Sequence, residues 1–214
     1  MEKLFNADVE KQIKDILAQA KKSITLVLFT KEGECATCAE TKQLLTEIEA
    51  LSSKVSLVLK DIEKDADEAL NYGVTLTPSF VILDELNNYQ GVKFNGIPAG
   101  HEINSFISAL LEMSGLDIQY EDQVLARIKA LKKPVNIKVF VTLSCPHCPG
   151  AVQNAHRLAM LNEHIEGEMI EAQTFFDLSN KFNVSGVPKI VINDKHELVG
   201  NQPIEAFLDT IERL

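Results

Sequence analysis

The chain has 214 residues, 45% of them apolar, and a formal net charge of −10 at pH 7. Such a length suits one large domain or two small ones with real cores. The acidity argues against a nucleic-acid partner, because no basic stripe is present to neutralise phosphates, and no apolar run reaches the roughly eighteen residues that a membrane span needs. The first 22 residues mix charges and lack an apolar signal-peptide core, which predicts a cytoplasmic protein.

Apolar residues at Val9, Ile13, Ile16 and Leu17 predict a helix over residues 8–20. Residues 24–30 (ITLVLFT) have the β-branched and aromatic content of a buried strand. A polar loop, residues 31–34, leads to Cys35-Ala-Thr-Cys38 and a helix with Leu44, Leu45, Ile48 and Leu51 on one face. Next come a strand over 55–59 that ends at Asp61, a short polar helix over 64–72, and Thr77-Pro78 opening a strand over 79–83. A turn at 84–88, a strand over 91–94 and a helix over 101–113 complete this half.

The order then repeats. A helix carrying Val124, Leu125, Ile128 and Leu131 precedes a strand over 137–142, Cys145-Pro-His-Cys148, and a helix over 151–161. A strand over 168–171, a helix over 174–182, Val187-Pro188, a strand over 189–192, a turn at 193–195 and a helix over 204–214 follow. Cys145 lies 110 residues after Cys35, Cys148 110 after Cys38, and Pro188 110 after Pro78. Val55 with Ile165, Asp61 with Glu171, Tyr72 with Phe182 and Val81 with Val191 agree in type at the same offset. The first half has extra residues before its cysteines and again around 97–100. Two copies of one βαβ-then-ββα unit account for this, predicted at 1–116 and 117–214 with the boundary within 114–120.

All four cysteines fall in the two CxxC pairs. A cytosolic protein rarely keeps structural disulfides, so the pairs read as redox or metal sites. A thiol at a strand-to-helix junction gains thiolate character from the free N–H groups and dipole of the helix start. Zinc knuckles bring two pairs together within one small unit, whereas each pair here has its own strand, helix and proline. The expectation is therefore redox chemistry, with no metal and no cofactor.

Strand, CxxC, helix and a later strand opening with proline resembles the thioredoxin pattern, and 72–78 (YGVTLTP) is similar to that superfamily's approach to its cis-proline. The tandem build, with 94–102 (FNGIPAGHE), 139–149 (VFVTLSCPHCP) and 183–192 (NVSGVPKIVI), resembles the protein disulfide oxidoreductases. It is similar too to the N-terminal domain of the alkyl hydroperoxide reductase flavoprotein subunit, which has lost the first cysteine pair that this chain keeps. The resemblance implies an α/β protein of two tandem thioredoxin-like folds, each a mixed central sheet flanked by helices. Its implied activity is reduction, oxidation or isomerisation of protein disulfides. Partners implied are protein substrates, a thioredoxin-reductase-like flavoprotein and a peroxiredoxin. No Gly-rich dinucleotide-binding segment is present, so the flavin domain is expected on a separate partner.

Within this resemblance Cys145 and Cys35 are the attacking thiolates and Cys148 and Cys38 the resolving thiols, the attacker exposed and the resolver shielded. Pro188 and Pro78, if cis, place the backbone of Val187 and Thr77 against the sulfur, where an extended substrate segment can pair with it. His147 favours the Cys145 thiolate, while Glu34 disfavours that of Cys35, so Cys145 is expected to have the lower pKa. His101, His156, His164 and His196 are expected to be solvated surface residues. Asp61 and Glu171 match across the repeat and are read as strand-ending residues rather than proton acceptors.

Overall fold

The structure, a computed structural model, describes residues 3–214, so the predicted first-unit limit at residue 1 lies outside the described residues. The first half runs α1 (Ala7–Leu17), β1 (Ile24–Thr30), α2 (Cys38–Leu51), β2 (Val55–Asp61), α3 (Ala66–Asn71), β3 (Ser79–Leu83) and β4 (Tyr89–Asn95). A 3₁₀ turn (Gly100–Glu102) then leads into α4 (Ile103–Met113). The second half runs α5 (Asp122–Ala130), β5 (Val135–Val141), α6 (Cys148–Leu161), β6 (Ile165–Glu171), α7 (Phe176–Lys181), β7 (Lys189–Ile192), β8 (His196–Val199) and α8 (Ile204–Ile211).

The repeat is visible in the boundaries: α2, β2 and α3 recur as α6, β6 and α7 with every end displaced by 110 residues. The two mixed sheets are joined edge to edge. Among the described residues they form one eight-stranded sheet in the order β2-β1-β3-β4-β6-β5-β7-β8. The join is a parallel pairing of β4 with β6, Val92 opposite Gly167 through Asn95 opposite Ile170. Gly167 interrupts the apolar pattern, so the sequence places the strand start at 168. The structure starts it at Ile165 and runs it through Gly167, where a Cβ would stand 2.6 Å from the Ala155 carbonyl of α6. A glycine lets the helix lie directly on the strand.

Residues of α1, α2, α4, α5, α6 and α8 share one core on one sheet face, including Leu17, Leu45, Phe106, Ile128, Val152 and Phe207. On the other face, Ala69 of α3 belongs to a small cluster with Phe29 and Val81. Leu178 of α7 packs on a second one with Phe140 and Val191. Between these satellites the seam is polar. Lys93, 1% exposed, donates to the Gly73 carbonyl and pairs with Glu166, both at 2.8 Å, and Asn95 donates to Glu168 at 2.9 Å.

Strand β8 departs from the sequence reading, which carried the chain from the 193–195 turn to the last helix. Its residues are mostly exposed, so no apolar alternation marks it. The repeat was the available signal, since β4 requires a counterpart.

Candidate redox sites

Strand directions place both sites on one rim. β4 is parallel to β6 and β6 to β5, while β1 and β4 each pair antiparallel with β3, so β1 and β5 point the same way. Their C-terminal ends, Thr30 and Val141, deliver the chain to Cys35 and Cys145 at that rim. Pro78 and Pro188 precede β3 and β7, whose first residues pair with Phe29 and Phe140, and so stand at the same rim. Both the Thr77–Pro78 and Val187–Pro188 peptide bonds are cis, as the resemblance implies. Among the described residues the backbone N–H and C=O groups of Thr77 and Val187 make no hydrogen bond.

Each cysteine pair is closed as a disulfide with Cα atoms 5.5 Å apart. Cys38 and Cys148 are the first residues of α2 and α6, three positions earlier in α6 than the apolar pattern suggests. Pro149 is tolerated there because the first-turn N–H groups have no intrahelical partner. Thr37 stands at the N-cap of α2 without making a side-chain cap bond, and its buried Oγ1 has no partner among the described residues.

Exposure corrects part of the expectation. Cys35 and Cys38 are both half-buried, so the first site shows no sharp division between attacker and resolver. At the second site Cys148 is fully buried, but Cys145 is itself only 7% exposed. It packs in the main core while its neighbours Ser144, Pro146 and His147 are exposed.

The histidines divide. His147 is exposed at the N-cap of α6, and His101 and His196 are exposed as expected. His156 overturns its expectation. It is 1% exposed, with its ring centroid 4.6 Å from that of Phe94 and Nε2 3.1 Å from the Lys93 carbonyl. Burial lowers its pKa to about 4. Docking β4 of one half beneath α6 of the other buries a residue whose own helix, taken alone, would leave it at the surface.

Glu171 accepts from the Thr174 backbone N–H at 2.6 Å and hydroxyl at 2.7 Å, and Asp61 from the Glu63 and Lys64 N–H groups at 3.0 Å. Both act as turn caps. A second buried acid at the rim, besides Glu171, is Glu102, which the sequence reading passed over. It is fully buried in the turn that packs on α6, accepts from the Ser105 hydroxyl, and has one oxygen without a partner among the described residues. Burial raises its pKa to about 7. Its only sequence signal was its place in the 94–102 segment. Among the described residues no group of three or more His, Cys, Asp or Glu side chains is placed to hold a metal ion.

A family model described as a thioredoxin domain matches residues 135–213. The structure of the alkylhydroperoxide reductase component AhpF from Enterococcus faecalis is 31% identical with a TM-score of 0.91, over 97% of this chain and 99% of that one. This chain belongs to the tandem thioredoxin-like disulfide oxidoreductases. A protein disulfide oxidoreductase from Aeropyrum pernix is 29% identical with a TM-score of 0.89, over 97% of this chain and 92% of that one. The corresponding alkyl hydroperoxide reductase component of Staphylococcus aureus is 29% identical over 208 residues. The oxidoreductase spans 97% of its own length in that match but 38% of the curated relative's. Its chemistry is thiol–disulfide exchange on a thioredoxin fold. No helix among the described residues is long and apolar enough to cross a membrane.

Proposed function

We propose that this oxidoreductase is a cytoplasmic electron carrier that takes reducing equivalents from a thioredoxin-reductase-like flavoprotein and delivers them to protein disulfides, a peroxiredoxin among them. The observation that carries the reading is the pair of closed CxxC disulfides, each at a helix start, sharing one rim. The unit division at 1–116 and 117–214 belongs to the same proposal.

In the second site the Cys145 thiolate attacks a client disulfide, forming a mixed disulfide and expelling one client thiolate. Cys148 then loses its proton and attacks the Cys145 sulfur, which releases the second client thiolate. The dithiol is oxidised by two electrons and the client disulfide is reduced. Glu102, fully buried in the turn packed on the helix that Cys148 begins and with one oxygen unpartnered among the described residues, is our candidate to take that proton. The unbonded backbone of Val187, like that of Thr77 at the first site, takes an extended client segment as an added strand. His147, exposed beside Cys145, favours the thiolate, so this site is the stronger oxidant of the two.

The sites work through partners. Four inter-strand steps separate β1 from β5, about 19 Å at about 4.8 Å each, so the cysteine pairs do not exchange directly. Cys145→Ser and Cys35→Ser, compared in a reductase-coupled assay with a peroxiredoxin and with insulin, test the assignment. Cys145→Ser is expected to lose most activity and Cys35→Ser less. The reverse order would overturn it.

A further inference from the structure

The two units connect their last hairpins to their last helices differently. Gly96 and Gly200 are equivalent, since each donates its N–H to the carbonyl of its own rim proline, Pro78 at 2.8 Å and Pro188 at 2.9 Å. From there residues 97–102 lead to α4, whereas residues 201–203 suffice to reach α8. The longer connection does not loop into solvent. It crosses to the other unit, where the His101 N–H donates to the Leu143 carbonyl at 2.9 Å.

Leu143 is the second residue of the turn that feeds the second site, closed by the Cys145 N–H on the Thr142 carbonyl at 3.1 Å. The approach is close enough to dictate the residue at 100. Gly100 has φ +59, and a Cβ there would fall inside the Leu143 carbonyl. Only glycine combines that conformation with that contact. The first-site loop is built otherwise. It is one residue longer, has open space around Gly33, and is tied within its own unit, Lys64 to Glu32 at 2.7 Å.

We propose that the Gly100–Glu102 connection of the first unit is a positioning element of the second site, holding the Leu143 carbonyl and thereby fixing the turn that places Cys145. A peptide plane held at its oxygen does not flip, so the orientation of the Cys145 sulfur toward the start of α6 is set by the other unit. The second site is then incomplete without the first, whatever the state of Cys35 and Cys38. The proposal rests on reading Cys145 as the attacking thiolate, which the Cys145→Ser assay tests separately.

The test is Gly100→Ala in the full chain, reduced, with iodoacetamide alkylation followed peptide by peptide across pH. The Cys145 profile is expected to move, with a rate change of about tenfold at fixed pH. The Cys35 profile in the same molecules stays put. Gly115→Ala, also at positive φ but with its nearest neighbour a flexible Lys22 side chain at 3.4 Å, should move neither. Should Gly100→Ala fail to fold, Gly100→Asn presents the same Cβ to the Leu143 carbonyl on a residue that tolerates positive φ. In the unaltered chain the His101 amide should exchange slowly with solvent. A Cys145 profile unchanged in whichever variant folds, a Cys35 profile that moves in parallel, or a fast-exchanging His101 amide would each overturn the proposal.

Discussion

His156→Gln isolates one buried titratable group at the seam between the units. The glutamine amide can still donate to the Lys93 carbonyl, but it does not titrate. In the folded chain the imidazole stays neutral down to about pH 4, against 6.5 when unfolded, because protonation would place a charge, and an N–H at the unpartnered Nδ1, inside the core. Between those values the unfolded state binds one proton more than the folded state, so stability present above 6.5 is lost as pH falls through about 4. At about 1.36 kcal/mol per pH unit, this window amounts to about 3 kcal/mol. Glu102 runs in the opposite sense. Its folded carboxyl keeps its proton to about 7 against 4.5 unfolded, so stability fully present below 4.5 is lost as pH rises through about 7. The two nearly cancel, and the parent's own profile should be shallow between pH 4.5 and 6.5. Urea denaturation of parent and His156→Gln at constant ionic strength, with the disulfides intact, removes the Glu102 contribution by difference. The stability advantage of the parent should shrink by about 3 kcal/mol between pH 6.5 and 4. Parallel curves would mean that His156 is not held neutral in the folded chain.

Glu102→Gln should stabilise the chain above pH 7 while slowing second-site turnover by about tenfold or more; a variant with parental turnover and pH dependence would remove Glu102 from the reaction. Glu166→Gln keeps an acceptor for the buried Lys93 ammonium but removes the carboxylate charge that faces it, and should cost about 2 kcal/mol in urea denaturation. A loss no greater than that from breaking the exposed Lys3–Glu10 pair would show the seam to be well solvated. Peptide-resolved alkylation should give Cys145 a lower pKa than Cys35. Equal or reversed values would remove His147 and Glu34 as the groups that set the two sites apart.

The parts of this molecule that local chemistry controls were legible. The strand over 24–30 and the short helices after Asp61 and Glu171 follow from side-chain type and turn residues, and recur where expected to within a few residues. The start of α6 at Cys148 was missed because its first turn holds Pro149 and Gly150, which carry no apolar periodicity. Strand β8 was missed because an edge strand of exposed residues needs no alternation. His156 was read as a surface residue, and Lys93 and Glu102 were passed over, for a different reason: each is buried by the other half of the chain, or by a connection reaching into it.

By itself the sequence determined the duplicated unit, the two CxxC pairs and the prolines that match them across the repeat, because these are fixed by residue type and by spacing that repeats at 110. Only the tertiary structure decided that the two sheets fuse through β4 and β6, that both sites open on one rim, and that the first unit reaches the turn before Cys145. Which edges pair is a property of long-range register, and the composition of neither strand encodes it. Burial of the seam residues follows from that pairing.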